Sequence, residues 1–502
     1  MRSRNAPLAI SIAAALLAAL PAFSDDWTTV GMDAQRSSWV RSDRKVSPET
    51  VAGPEFQFLW RMQTSNEARS DAALTAPVLL DFLISHRGFR SLAFVSGSSG
   101  GVYTMDTDLA RMEWDRHFAE GPSHSSAECP GGMTANVSRN TSVKMPSMLG
   151  FVARGRRSPA LSGVGQPGAG AVTLAEVRPA STARPQQTRP AARTRPPARS
   201  SLRGVNLLHV LSNDGMLHGL YVSNGRDHRP PMPFLPANSH ARGLIVIENT
   251  AFVTTVNRCG GTPDGVWSLD LESGTVRAWE SDGGSIAGAA GAAFAPDGML
   301  YAATRQGALV ALESRSLNLA QKSRSTGFRS SPVVFDFDGA DHLAVLGSDG
   351  SLQVYAADSL AAPVAAASAR SGSVDDDTAL AVWKDDSGTS WIVVSTGRSI
   401  AAWKLAGSAG EMSLEKGWES SAMIAPLPPI VVNEVVFALD GGESAGRATL
   451  YALEGTTGAA LWDSADSIKA PARGHTLSSG PSHVYLTAMD NAVYGFGIPM
   501  EH

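Results

Sequence analysis

The chain has 502 residues, 43% of them hydrophobic, and a net charge of only −5. That is enough apolar material for a large core, and too little charge to draw the whole protein to nucleic acid or to a charged membrane. Two cysteines exclude a small, disulfide-dense scaffold.

Met1–Ser24 has the layout of a cleaved secretory signal. Arg2 and Arg4 precede the apolar run Leu8–Leu20, and Ala22-Phe23-Ser24 offers a small-x-small cleavage site. The run is shorter than the ~20 residues a bilayer needs, so cleavage is expected, and no later segment reads as a membrane span. No cysteine follows the run, so a lipid anchor is not expected. Asp25–Ser65 is an entry segment whose one strand, Phe56–Met62, has no hairpin of its own.

Val102–Trp114 (VYTMDTDLARMEW) is the first copy of a recurring unit: a strand, an acidic residue, a turn and a second strand ending in tryptophan. It returns at Val266–Trp279, more weakly at Leu309–Gln321, Leu352–Asp358 and Ile400–Leu405, and most fully at Leu450–Trp462 (LYALEGTTGAALW). In that last copy Gly458 can take positive φ in the turn. Trp462 offers apolar area to a neighbouring unit. Asp270, Glu313, Asp358, Lys404 and Glu454 occupy matching places, 43, 45, 46 and 50 residues apart. A period of about 40–50 residues with short strands is that of a β-propeller blade. The expected fold is all-β, a propeller of eight blades with seven as the alternative. Phe56–Met62 is expected to close it by pairing with the C-terminal strands, leaving no open sheet edge.

Blade one covers about 72–118, and His124–Met148 reads as loop. Arg154–Arg203 holds ten arginines, seven prolines, one glutamate and no aromatic residue. It cannot bury enough apolar surface to order itself and reads as disordered. Taking its +9 and the leader's +2 from −5 leaves the remaining mature chain near −16. The insert is either a solvated loop insertion or a basic arm for the acidic propeller or another anionic surface. The expected organisation is a signal at 1–24, the closing strand and first blade at 25–152, the insert at 153–203 and the remaining blades at 204–502.

The repeats resemble the pyrroloquinoline-quinone-like (PQQ-like) propeller repeat, Ala-x-Asp-x-x-Thr-Gly-x-x-x-Trp. Ala452, Glu454, Thr457, Gly458 and Trp462 fit it best, and Ser268, Asp270, Ser273, Gly274 and Trp279 more loosely. Asp26-Trp27-Thr28-Thr29-Val30-Gly31 is similar to the family's opening, and Phe56–Trp60 to its first outer strand. The resemblance implies a propeller. The family includes quinone-dependent dehydrogenases, assembly-factor scaffolds and proteins with no quinone. Its alcohol dehydrogenases carry two adjacent cysteines beside the cofactor, and no such pair occurs here.

Cys129 and Cys259 lie in Gly-rich loops of a chain read as exported, so one disulfide between them is expected, with two separate thiols as the alternative. Trp60, Trp114, Trp279 and Trp462 read as residues that dock one blade on the next. Asp336 and Asp338 stand at alternate positions before Gly339, with Asp341 after it, but they lack the full calcium-loop spacing, so a strand-connecting turn is expected. Asp375–Asp377 reads as a solvated acidic run. His209 and His218 flank one turn without the spacing of a zinc helix. Gly97–Gly101 fits G-x-S-x-G, but it joins two strands where a nucleophile elbow needs a helix. No catalytic residue or metal ligand is assigned, and no cofactor is expected. The chain is expected to act in the periplasm or outside the cell as a monomeric, non-catalytic binding or scaffolding module with a protein partner of the cell envelope. The alternative is a PQQ- and calcium-dependent alcohol or sugar dehydrogenase. A lectin or glycan-acting enzyme is a third reading.

Overall fold

The computed structural model describes residues 26–69, 73–85, 88–119, 126, 128–143, 206–325, 327–369, 378–408 and 411–499. The leader, the insert and Asp375–Asp377 lie outside them. The described residues form one compact unit.

Their strands group into eight four-strand antiparallel meanders, two of them joined in one eight-stranded sheet. The innermost strands, in chain order, are Val78–Ser85, Ser138–Thr141, Ala241–Ile247, Ala293–Phe294, Val333–Phe337, Ala381–Lys384, Ile430–Val432 and Ser478–Gly480. Apolar side chains of each meander pack against the next. Val78, Leu92 and Phe94 of the first meet Leu208, Val210 and Leu220 of the second. Leu79, Ala93 and Tyr103 of the first also meet Val484 and Tyr485 of the eighth, which closes the ring. The result is a β-propeller, whose closure leaves only short, protected edges. Among the described residues no helix is long and apolar enough to cross a membrane.

Gln57–Gln63 pairs antiparallel with Ala492–Gly497 and supplies the outer strand that the eighth meander lacks. The acidic residue of each full repeat has a local role. Asp106 Oδ1 accepts from the amides of Asp108 and Leu109, and Asp270 Oδ1 from those of Glu272 and Ser273. Glu454 Oε2 accepts from Thr457 N at 2.7 Å. Each carboxylate thus satisfies amides that the turn between third and fourth strands leaves without a ladder partner. Asp336–Asp341 likewise forms a hairpin, with Asp338 and Gly339 at φ 54° and 78° between two paired strands.

The stretch expected to be loop, His124–Met148, contains a strand. Ser138–Thr141 is the innermost strand of the second meander. It pairs parallel with Ala241–Ile247 and antiparallel with Leu207–Leu211, across the insert. Its sequence, SRNT, carries no apolar alternation, and its burial comes from those strands and from the N-terminal segment and first meander that Arg139 and Thr141 meet. The chain leaving this strand at Val143 and returning at Asn206 stands where the other meanders have their first hairpin turn.

Candidate functional site

The ring axis is occupied by the chain's own N-terminal segment, Trp27–Asp43. Successive backbone carbonyls of this segment accept from the innermost strands of successive meanders. Trp27 O accepts from Leu79 N of the first at 2.8 Å, and Thr28 O from Arg139 N of the second at 2.8 Å. The Thr29 hydroxyl donates to Leu244 O of the third. Ala34 O accepts from Phe294 N, Gln35 O from Val334 N, Ser37 O from Val382 N and Ser38 O from Val431 N, in the fourth to seventh. Trp39–Val40 then pairs parallel with Ile430–Val432, and Asp43 Oδ2 accepts from Ser482 N of the eighth. The segment meets the eight meanders in the order in which the chain makes them.

Arg36 anchors the segment and is 1% exposed. Its guanidinium donates to Ala292 O at 2.9 Å, Gly243 O at 2.8 Å, Val30 O at 2.7 Å and the Thr29 hydroxyl at 2.9 Å. Burial pushes its pKa down to about 9, and Asp33 works in the opposite direction. His475 is also buried, in the connection to the eighth innermost strand. Burial, reinforced by the Arg36 charge, pushes its imidazole down to about 4. Val30 packs with Ala290 and Ala379, from the connections into the fourth and sixth meanders.

Two open cavities lie on the face that carries the first hairpin turns, where the segment leaves the axis. One, of about 650 Å³, is lined by Asp43, Arg44, Ser47, Glu55 and Asn433. The other, of about 290 Å³, is lined by Asp81, Phe89, Arg90, Asp108 and His483. Lys45 and Ile498 line both. Two of these carboxylates are committed to backbone amides. Asp43 accepts from the amides of Lys45, Val46 and Ser482, and Asp108 from Ser91 N at 3.1 Å. Burial raises the Asp108 pKa and lowers that of His483. Together the linings carry both signs of charge and one phenylalanine, Phe89.

The tryptophans share a mode of packing. Trp60 donates its indole N–H to Thr107 O, and Trp114 to Val222 O, each reaching from the outermost strand of one meander to the third-to-fourth-strand turn of the next. Trp462 packs edge-on against Phe56 and Phe496, and Trp279 against the core of the third and fourth meanders. Trp418 does the same as Trp114, donating to Gly455 O at 2.8 Å, and a Cβ on Gly458 would lie 2.5 Å from its ring. The repeat does not mark it, because its hairpin, Ile400–Glu419, is longer than the repeat. The signal was the strand Ile400–Leu405 followed by the next tryptophan.

Cys129 and Cys259 are bonded, with Cα atoms 5.5 Å apart, and tie the connection after the first meander to the third. His209 and His218 stand on paired strands but one register step apart, hence on opposite faces. His209 meets Asn140 Oδ1, and burial pushes it down to about 4. His218 stands between Asp227 Oδ1, at 2.9 Å, and the Ser212 hydroxyl, at 3.1 Å. The order Ser–His–Asp is that of a nucleophilic relay. Here, however, Ser212 is 4% exposed and its hydroxyl lies 2.5 Å from Asp214 Oδ1, so it closes a turn. The adjoining cavity, about 10 Å³, has room for about one water. Among the described residues no group of three His, Cys, Asp or Glu is placed to hold a metal.

No protein family and no curated protein matches the chain by sequence. Solved structures match by fold. A quinohemoprotein alcohol dehydrogenase from Comamonas testosteroni is 11% identical, with a TM-score of 0.54 over 95% of this chain and 81% of that one. A europium-containing methanol dehydrogenase is 10% identical, with a TM-score of 0.54 over 94% and 98%. BamB from Moraxella catarrhalis is 12% identical, with a TM-score of 0.47 over 89% and 99%. At these identities the likeness is one of fold, and the fold is the PQQ-like β-propeller.

Proposed function

We propose that this chain is a non-catalytic propeller module of the cell envelope that binds or positions a protein partner. The observation that carries this reading is the filled axis. A cofactor held on the axis would meet Trp27, Arg36 and Ser38, each at most 1% exposed, where it needs open space. The donors there do not fit a quinone with calcium, because the Arg36 guanidinium is already bonded to four oxygens of this chain and Arg41 is paired with Asp33. The one cysteine pair is 130 residues apart in sequence, not adjacent, and is consumed in a disulfide. The mixed-charge cleft around Lys45 supports a partner-binding role on the same face. Placement in the periplasm or outside the cell follows from the leader read at 1–24.

The test is to express the chain from Asp25, dialyse it with pyrroloquinoline quinone and calcium, and record the quinone absorbance that survives gel filtration. No retention by protein that is β-rich by circular dichroism is expected. Stoichiometric retention would overturn the proposal in favour of the quinone-dependent alcohol or sugar dehydrogenase.

A further inference from the structure

We infer that the ring axis is a binding site for an extended, arginine-bearing peptide. It is occupied by this chain's own residues 26–47 and is open to exchange with the same segment of a second copy. The inference rests on the same filled axis as the proposed function, but its test reads peptide exchange, which fails separately from quinone retention.

Three observations carry it. First, recognition is of a kind that any copy of the segment satisfies. Every meander bonds the segment, in most cases at a backbone carbonyl, and side-chain recognition comes from the Arg36 guanidinium on Ala292 O and Gly243 O, with Arg139 on Asp26 and Asn433 on Asp43 and Val46 beside it. This is backbone capture by strand edges with one side-chain pocket, the logic by which sheets take up peptides. Second, the fit is imperfect for a permanent core. Met32, Arg36 and Ser38 hold left-handed backbone at φ 77°, 61° and 52°, which costs L-residues energy. Buried polar atoms at the axis lack hydrogen-bond partners: Trp27 Nε1 and Ser38 Oγ on the segment, and Ser331 Oγ, Thr378 Oγ1, both ring nitrogens of His475 and Thr476 Oγ1 on the wall. Buried polar groups are ordinarily satisfied, and such exceptions gather at functional positions. Third, the segment is joined to its outer strand through a connection that is pinned at Val51 and Phe56 but otherwise exposed. Arg44, Lys45, Glu49, Ala52, Pro54 and Glu55 face solvent. Covalent attachment therefore favours the resident segment mainly by effective concentration, an advantage that falls away when the connection is cut.

The test uses the full chain with a protease site placed between Ala52 and Glu55. Cutting leaves all residues present but removes the tether. A fluorescent peptide of residues 26–47 is then added, and its co-elution with the ring is followed. The expected result is exchange approaching one peptide per nicked chain. Exchange with the uncut chain should be at least tenfold slower, and uptake of a peptide carrying Arg36→Met at least tenfold weaker. Retention of the resident segment with no exchange would overturn the inference, and so would uptake indifferent to the arginine. Where the nicked chain unfolds, failure of excess peptide to restore its β-sheet circular dichroism would overturn it equally, and restoration by the native but not the Arg36→Met peptide would support it.

Discussion

The turn at Glu454–Gly458 and the segment Trp27–Asp43 are both irregular backbone bonded almost completely, but by different means. In the turn the carboxylate's partners are local, and only Gly455 reaches further, donating to Glu434 O and accepting from the Trp418 indole. Glu454 takes the amides of Thr456 and Thr457, and Gly458 N donates to Glu454 O. In the axial segment the partners are up to several hundred residues away, as when Asp43 meets Ser482. A local device can be copied, and the chain copies it at Asp106 and Asp270. The axial segment occurs once, and every meander depends on it. Losing one turn should loosen one meander, whereas losing the segment's anchor should affect the whole ring.

Arg36→Met tests that contrast at its strongest point. It removes a buried cation and leaves the carbonyls of Val30, Gly243 and Ala292 without their donor. A loss of about 3–5 kcal/mol is expected from urea unfolding, as for other broken buried charge networks. A loss below about 1 kcal/mol would break the comparison. Acid should act next. His475 and His209 have folded values pushed down to about 4 from 6.5, so both are neutral in the fold and take up protons on unfolding. Their contribution is complete above about pH 6.5 and is lost as pH falls from there toward 4. At pH 5 the loss is about 2 kcal/mol for each. His475→Gln should remove its share of the slope between pH 7 and 5, and an unchanged slope would show that His475 is not held neutral. Glu454→Ala is the smallest effect. It frees two amides in a solvent-facing turn, for a cost of about 1 kcal/mol in the urea midpoint. If it instead equalled Arg36→Met, the turns would be as central as the axis.

Much of the architecture was legible because a blade obeys local rules. The acid-turn-tryptophan period marks the third and fourth strands of the full repeats, and Trp114 docks on the next meander from such a fourth strand. The closing strand could be read at Phe56–Met62 because an apolar run with no hairpin partner needs a distant one. The candidate site was not legible. Arg36 is one of many arginines in the sequence, in a polar stretch without periodicity. Ser138–Thr141 reads as loop from sequence for the same reason.

By itself the sequence determined an all-β repeat fold, the places of most turns and the strand that closes the ring. Those features follow from side-chain alternation and turn chemistry within about ten residues. Only the tertiary structure decided that Trp27–Asp43 fills the axis, that SRNT is a buried strand and that Trp418 docks as Trp114 does. Each of these rests on backbone groups satisfied by remote chain. Backbone amides and carbonyls are the same in every residue, so the sequence carries no mark of which distant partner will bond them.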